Sequence, residues 1–208
     1  MIINAADIKT KKMRYVVVAS VIVLFLLFFM WLLLRKGTVI GAIPTLAIET
    51  PNKVSIMDTK EIVLEMTISS LGDAIYPAAS MSITFDPSKL EFIGVEEGNV
   101  FVHNDVSEVP RKLPEWSCNP EQCNKTGKIN IMYLDTTGGK NAFSKVFLVE
   151  EDNVVLRLKF RLRGSIRKGD GCDLIFEDAV FAASDEKESL AMIRKTLKVR
   201  NSKIVVGE

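Results

Sequence analysis

The sequence predicts an all-β sandwich preceded by one N-terminal transmembrane helix. Three observations carry that expectation: an uncharged run of twenty residues near the start, period-two alternation of apolar side chains through most of the remainder, and turn-forming residues at short intervals between those runs.

The uncharged run is YVVVASVIVLFLLFFMWLLL, Tyr15 to Leu34. As a helix it would span roughly 30 Å, the thickness of a bilayer's hydrocarbon core. Lys9, Lys11, Lys12 and Arg14 precede it, and Arg35 and Lys36 follow. The positive-inside tendency keeps the N-terminus cytoplasmic and sends the rest outside. The alternative is a cleaved signal peptide, whose apolar core is shorter, about 7–15 residues, and ends in a small-x-small site; GTVIGA, Gly37 to Ala42, is a weak match. The expected organisation is a short basic cytoplasmic tail (1–14), a signal-anchor helix (15–34), a spacer (35–44) and an extracytoplasmic domain (45–208) in a single-pass cell-membrane protein.

Charge divides along the same boundary. Of 27 Lys+Arg and 26 Asp+Glu, six basic residues and Asp7 fall before residue 37, leaving 21 basic against 25 acidic in the outer domain. A mildly acidic body is no nucleic-acid binder, which would show a basic excess.

Strand signals then follow in order. In EIVLEMTISS, Ile62, Leu64, Met66 and Ile68 fall on one face, with Glu65, Thr67 and Ser69 on the other. SMSITFD sets Met81, Ile83 and Phe85 against Ser80, Ser82 and Thr84, and Asp86-Pro87-Ser88-Lys89 closes it with a turn, Pro87 presetting φ and Asp86 accepting from the backbone ahead. NVVLRLKFRLR opposes Val154, Leu156, Leu158, Phe160 and Leu162 to Val155, Arg157, Lys159, Arg161 and Arg163. Each strand buries one face and wets the other, as in antiparallel sheets packed face to face. About nine such strands make a sandwich of about 160 residues. Between them, Val102 to Gly127 reads as a long loop with Pro110, Pro114 and Pro120.

Candidate chemistry is sparse. Cys118 and Cys123 flank NPEQ and read equally as a small disulfide loop or as two free thiols; Cys172 reads as a core residue. Three Cys and the single His103 make no zinc set, and no calcium loop, phosphate-cradling glycine loop or nucleophile motif occurs, so no catalytic residue, metal or cofactor is assigned. Asn124-Lys125-Thr126 fits the glycosylation acceptor pattern. The row Arg157, Lys159, Arg161, Arg163 reads as a solvated face that keeps its strand soluble, rather than as a site for anionic lipid or acidic polymer. Trp116 is the one candidate for stacking on a sugar ring from an exposed loop.

The order of three segments resembles the cohesin domain, the receptor module that holds dockerin-bearing partners on cellulosome scaffoldins and cell-surface anchoring proteins. They are SMSITFDPSKLEFIGVEEGNVF; GKINIMYLDTTG followed by NVVLRLKFRLRG; and DLIFEDAVFAASDE with LKVRNSKIVV. The resemblance spans about Leu46 to Val206 and implies a nine-stranded jelly-roll β-sandwich of the carbohydrate-binding-module-like group. It also implies a partner-binding face on the sheet of the family's third, fifth, sixth and eighth strands, carried here on the third by Ala78, Ser80, Ser82 and Thr84, on the sixth by Asn130 and Met132 with the Asp135-Thr136-Thr137 turn, and on the eighth by Ala182 and Ala183. Ala78 and Ser80 stand where the family often has Asn and Asp. The expected function is therefore non-catalytic: a membrane-anchored domain tethering a protein partner outside the cell. The alternatives are a carbohydrate-binding module holding the cell to polysaccharide and a structural subunit of an envelope complex.

Overall fold

The structure, a computed structural model, describes residues 43–51, 54–55, 61–102, 113–148, 151–184 and 191–207. The expected tail and signal-anchor helix, most of the spacer, and His103 lie outside them. Among the described residues no helix is long and apolar enough to cross a membrane.

Ten strands occur among these residues: β1 (Thr45–Glu49), β2 (Val54–Ser55), β3 (Ile62–Ile68), β4 (Ala78–Thr84), β5 (Leu90–Glu97), β6 (Lys128–Leu134), β7 (Val154–Leu162), β8 (Gly171–Ala182), β9 (Lys198–Arg200) and β10 (Ser202–Gly207). They form two sheets, ordered β5-β7-β3-β1-β9 and β2-β10-β8-β4-β6. Pairing is antiparallel except for β1 with β9 and β10 with β2. The sandwich expected from alternation is therefore present, with one strand more than anticipated.

Alternation builds the core directly. Ile62, Leu64, Met66 and Ile68 of β3, Ala79, Met81 and Ile83 of β4, and Ile129, Ile131 and Tyr133 of β6 are all buried. Two aromatic groups fill its interior. Phe85, Phe92 and Phe160 have centroids 5.5–6.5 Å apart. Trp116, Tyr133, Phe143, Phe181 and Tyr76 form a linked series of tilted and edge-on contacts, which such rings prefer to face-to-face stacking. Asp86 caps its turn as expected, accepting from the Ser88 hydroxyl (2.6 Å) and amide (2.9 Å), and these bonds hold its carboxyl below the usual range.

The supposed long loop is not structureless. Pro120–Thr126 forms a helix, α1. Asn119 caps it, its side chain accepting from the Gln122 amide at 3.1 Å, and Pro120 takes the first helical position, where its missing N–H costs nothing. Gly127 ends it at φ +67°, donating to the Cys123 carbonyl; a Cβ there would stand 2.9 Å from the Phe85 carbonyl oxygen. From α1, Asn124 treats β5 as a neighbouring strand would. Its amide accepts from the Phe92 N–H at 2.8 Å and donates to the Phe92 carbonyl at 2.7 Å. Just upstream, Ser117 exchanges both backbone bonds with Met132 at the outer edge of β6 (2.8 and 3.0 Å). Residues 117–127 thus line the side of the sandwich where β5 and β6 end their sheets.

Candidate functional site

The expected binding residues share one surface. On the outer face of the second sheet, β4 lies between β6 and β8, and cross-strand register sets the rows: Leu134–Ala78–Ala182, Met132–Ser80–Val180, Asn130–Ser82–Asp178 and Lys128–Thr84–Ile175. Inward residues of these strands are locked in the core, so the outward ones stand on a rigid support.

The surface changes character along the strands. At one end it is uncharged, with Met132 and Leu134 55% and 61% exposed beside the small Ala78, Ser80 and Ala182. In the middle the Ser82 hydroxyl donates to the Asn130 amide oxygen at 2.8 Å. Charge enters in that same row with the exposed Asp178 opposite Ser82, and at the far end Lys128 pairs with Glu177.

Four of the ten face residues need refinement. Asp135 is a structural group. Its carboxylate accepts from the Thr137 amide (2.7 Å) and hydroxyl (2.5 Å) and the Asn141 amide (3.2 Å). Burial opposes its charge, but these bonds outweigh it and hold the carboxyl below the usual range. Thr136 is exposed on the loop so formed, beside a cleft of about 230 Å³ that reaches Tyr133, Leu134 and Asn141. Beneath it, burial pushes the Tyr133 hydroxyl up to about 12, with the Asp135 and Glu115 charges adding to the effect. Thr84 is half-buried, its hydroxyl turned to the Ile175 carbonyl at 3.4 Å, and Ala183 packs against the core past the end of β8.

Leu134, Val180 and Asp178 were missed. Leu134 continues the alternation of Asn130 and Met132 by one step. Val180 and Asp178 were hidden because the register shifts opposite Ser82/Ile83 and inverts the inside-outside parity of β8 beyond Glu177.

Trp116 is not an exposed platform, which corrects its candidacy for sugar stacking. Its indole N–H donates to the Val155 carbonyl at 3.2 Å, and its ring lies 5.8 Å from both Tyr133 and Phe143. Cys118 and Cys123 are free thiols here, on the helix start rather than in an open loop. Asn124 spends its side chain on Phe92, so the glycosylation pattern falls on an amide already engaged.

The basic row of β7 lies on the other sheet and is neutralised by carboxylates from both neighbours. Arg157 meets Glu65 at 3.1 Å, Lys159 meets Glu61 and Glu96 at 2.5 and 2.8 Å, and Arg161 meets Glu91 at 3.4 Å. Among the described residues no three His, Cys, Asp or Glu side chains group as a metal site would require.

Comparison with known proteins agrees with this architecture. The model of the cohesin domain family matches residues 51–199. Similar solved structures include the sixth cohesin of Acetivibrio cellulolyticus scaffoldin B, in complex with a Cel5 dockerin mutant (21% identity, TM-score 0.55, covering 79% of this chain and 99% of that one). Another is the OlpA cohesin–Doc918 complex of Clostridium thermocellum (17%, 0.54, 79% and 99%). A third is the cohesin module of a Clostridium perfringens family 33 glycoside hydrolase (12%, 0.51, 81% and 99%). At these identities the likeness speaks for the fold. None of the curated proteins compared matches the chain.

Proposed function

The chain belongs to the cohesin domain family, and we propose that it is a non-catalytic receptor module that holds a dockerin-type protein on the β4–β6–β8 face. The observation that carries this reading is the pair Met132 and Leu134, two large apolar side chains standing free on a flat, small-residue surface of a fixed sheet. Ala78, Ser80 and Ala182 let a partner helix approach closely, while Met132 adapts to whatever side chains it presents. Because the strands are already ordered, little conformational entropy is lost on docking. Recognition rests on apolar contact near Leu134 and on hydrogen bonds near Ser82 and Asn130, with the Asp178 carboxylate bordering them on β8.

The same reading takes residues 15–34 as a signal-anchor that displays the domain outside the cell. Its support is the uncharged length of the run and the basic residues before it.

Calorimetry of the full chain in detergent against purified dockerin modules tests the first part. Saturable binding that disappears in Met132→Asp/Leu134→Asp is the expected result; binding unchanged in that variant would place the partner elsewhere. Alkaline carbonate extraction and protease accessibility of intact cells test the second. Release into the soluble fraction would refute the anchor while leaving the docking face intact.

A further inference from the structure

We propose that Cys118 and Cys123 are joined by oxidation into a disulfide that fastens α1 to the side of the sandwich. The helix start itself brings them together. Asn119 is the N-cap and Pro120 the first helical residue, so Cys118 stands at N′ and Cys123 at N4. Side chains at N′ and N4 pack on one another in the hydrophobic staple, which fixes the angle at which the chain enters a helix. Both thiols join the same apolar cluster, Cys123 buried and Cys118 half-buried against it. Burial raises the Cys118 thiol, and the nearby Cys123 adds to the rise. Cys172 stands apart, buried in β8 opposite Ile204 of β10.

The reaction needs a disulfide oxidant, for which oxidised glutathione serves. The Cys118 thiolate attacks it, forming a mixed disulfide and expelling one glutathione thiolate. The Cys123 thiolate then displaces the second, and the two cysteine protons end on the two glutathiones. The raised Cys118 thiol makes the first step slow near neutrality and faster as pH rises.

The bond would secure more than a helix turn. The segment it closes ends next to Asn124, which clamps β5, and follows Ser117, which borders Met132 on the proposed docking face. Oxidation therefore stiffens one rim of that face. The chemistry does not depend on which partner docks there.

The test uses the full chain in detergent, equilibrated with oxidised glutathione at pH 8.5, then denatured, alkylated with a maleimide and mapped by mass. The expected product carries maleimide on Cys172 alone, with the peptide spanning 118–123 lighter by about 2 Da. Dithiothreitol should lower its Tm by about 5 °C, and should not do so in Cys118→Ser. Three alkylated cysteines after oxidation, stable glutathione adducts, or a bridge involving Cys172 would each overturn the assignment.

Discussion

The two outer faces of the sandwich are built by the same alternation and yet present opposite surfaces. On the first sheet, Arg157, Lys159 and Arg161 of β7 interleave with Glu65 and Glu61 on one side and Glu96 and Glu91 on the other. Its charges satisfy one another, and a partner would have to break those pairs before contacting the strands. On the second sheet the outward residues of β4 and β6 leave little to break: Met132 and Leu134 are open to solvent, and the Ser82 hydroxyl bonds its neighbour Asn130. A sheet face becomes a docking surface by lacking internal partners as much as by having attractive groups.

Ways to break that contrast rank by size. Placing charge on the open face should have the largest effect. Met132→Asp/Leu134→Asp should weaken partner binding by 100-fold or more, about 2.7 kcal/mol, with Tm within a degree or two because both side chains are already solvated. Ser82→Arg should cost about tenfold, since it removes one hydrogen bond to Asn130 and adds bulk to a flat surface. Calorimetry paired with thermal melts separates binding from folding in both.

The loop at the end of β6 gives the next effect, in acid. Asp135 has its folded pKa depressed, so its contribution is complete above the ordinary value of 3.8 and fades as pH falls through the lower folded value. Wild-type Tm should therefore fall more steeply than that of Asp135→Asn between pH 4 and 2. The difference should be about 1 kcal/mol or less, because the group is largely solvated. Equal slopes would show that the Thr137 and Asn141 bonds do not discriminate charge.

Smallest is the charged face. Lys159→Met removes one cation from between Glu61 and Glu96 and should cost about 0.5–1 kcal/mol in urea unfolding, leaving partner affinity unchanged. A tenfold loss of affinity would erase the distinction between the faces.

Most of the sandwich was legible because alternation is a local signal. Ile62 through Ile68, Met81 through Phe85 and the Asp86 turn all lie as their spacing implies. The open face was legible as far as strand parity held, along β4 and into β6. It failed on β8, where a register shift between strands leaves no mark in a single chain. The ion pairs were illegible for the same reason: Glu65, Glu91 and Glu96 acquire their meaning only beside β7. Trp116 misled because burial depends on Tyr133 and Phe143, distant in sequence. The helix was readable in Asn119-Pro120, a cap followed by its favoured first residue, but the flanking cysteines drew attention to a loop.

Asn124 carries a consequence for crowding. Proteins displayed densely side by side risk zipping together through exposed strand margins, a route toward fibrils. By spending its amide on both backbone groups of Phe92, Asn124 leaves a visiting strand nothing to bind at that point of β5. There the sheet margin is shut against β-augmentation by a second chain.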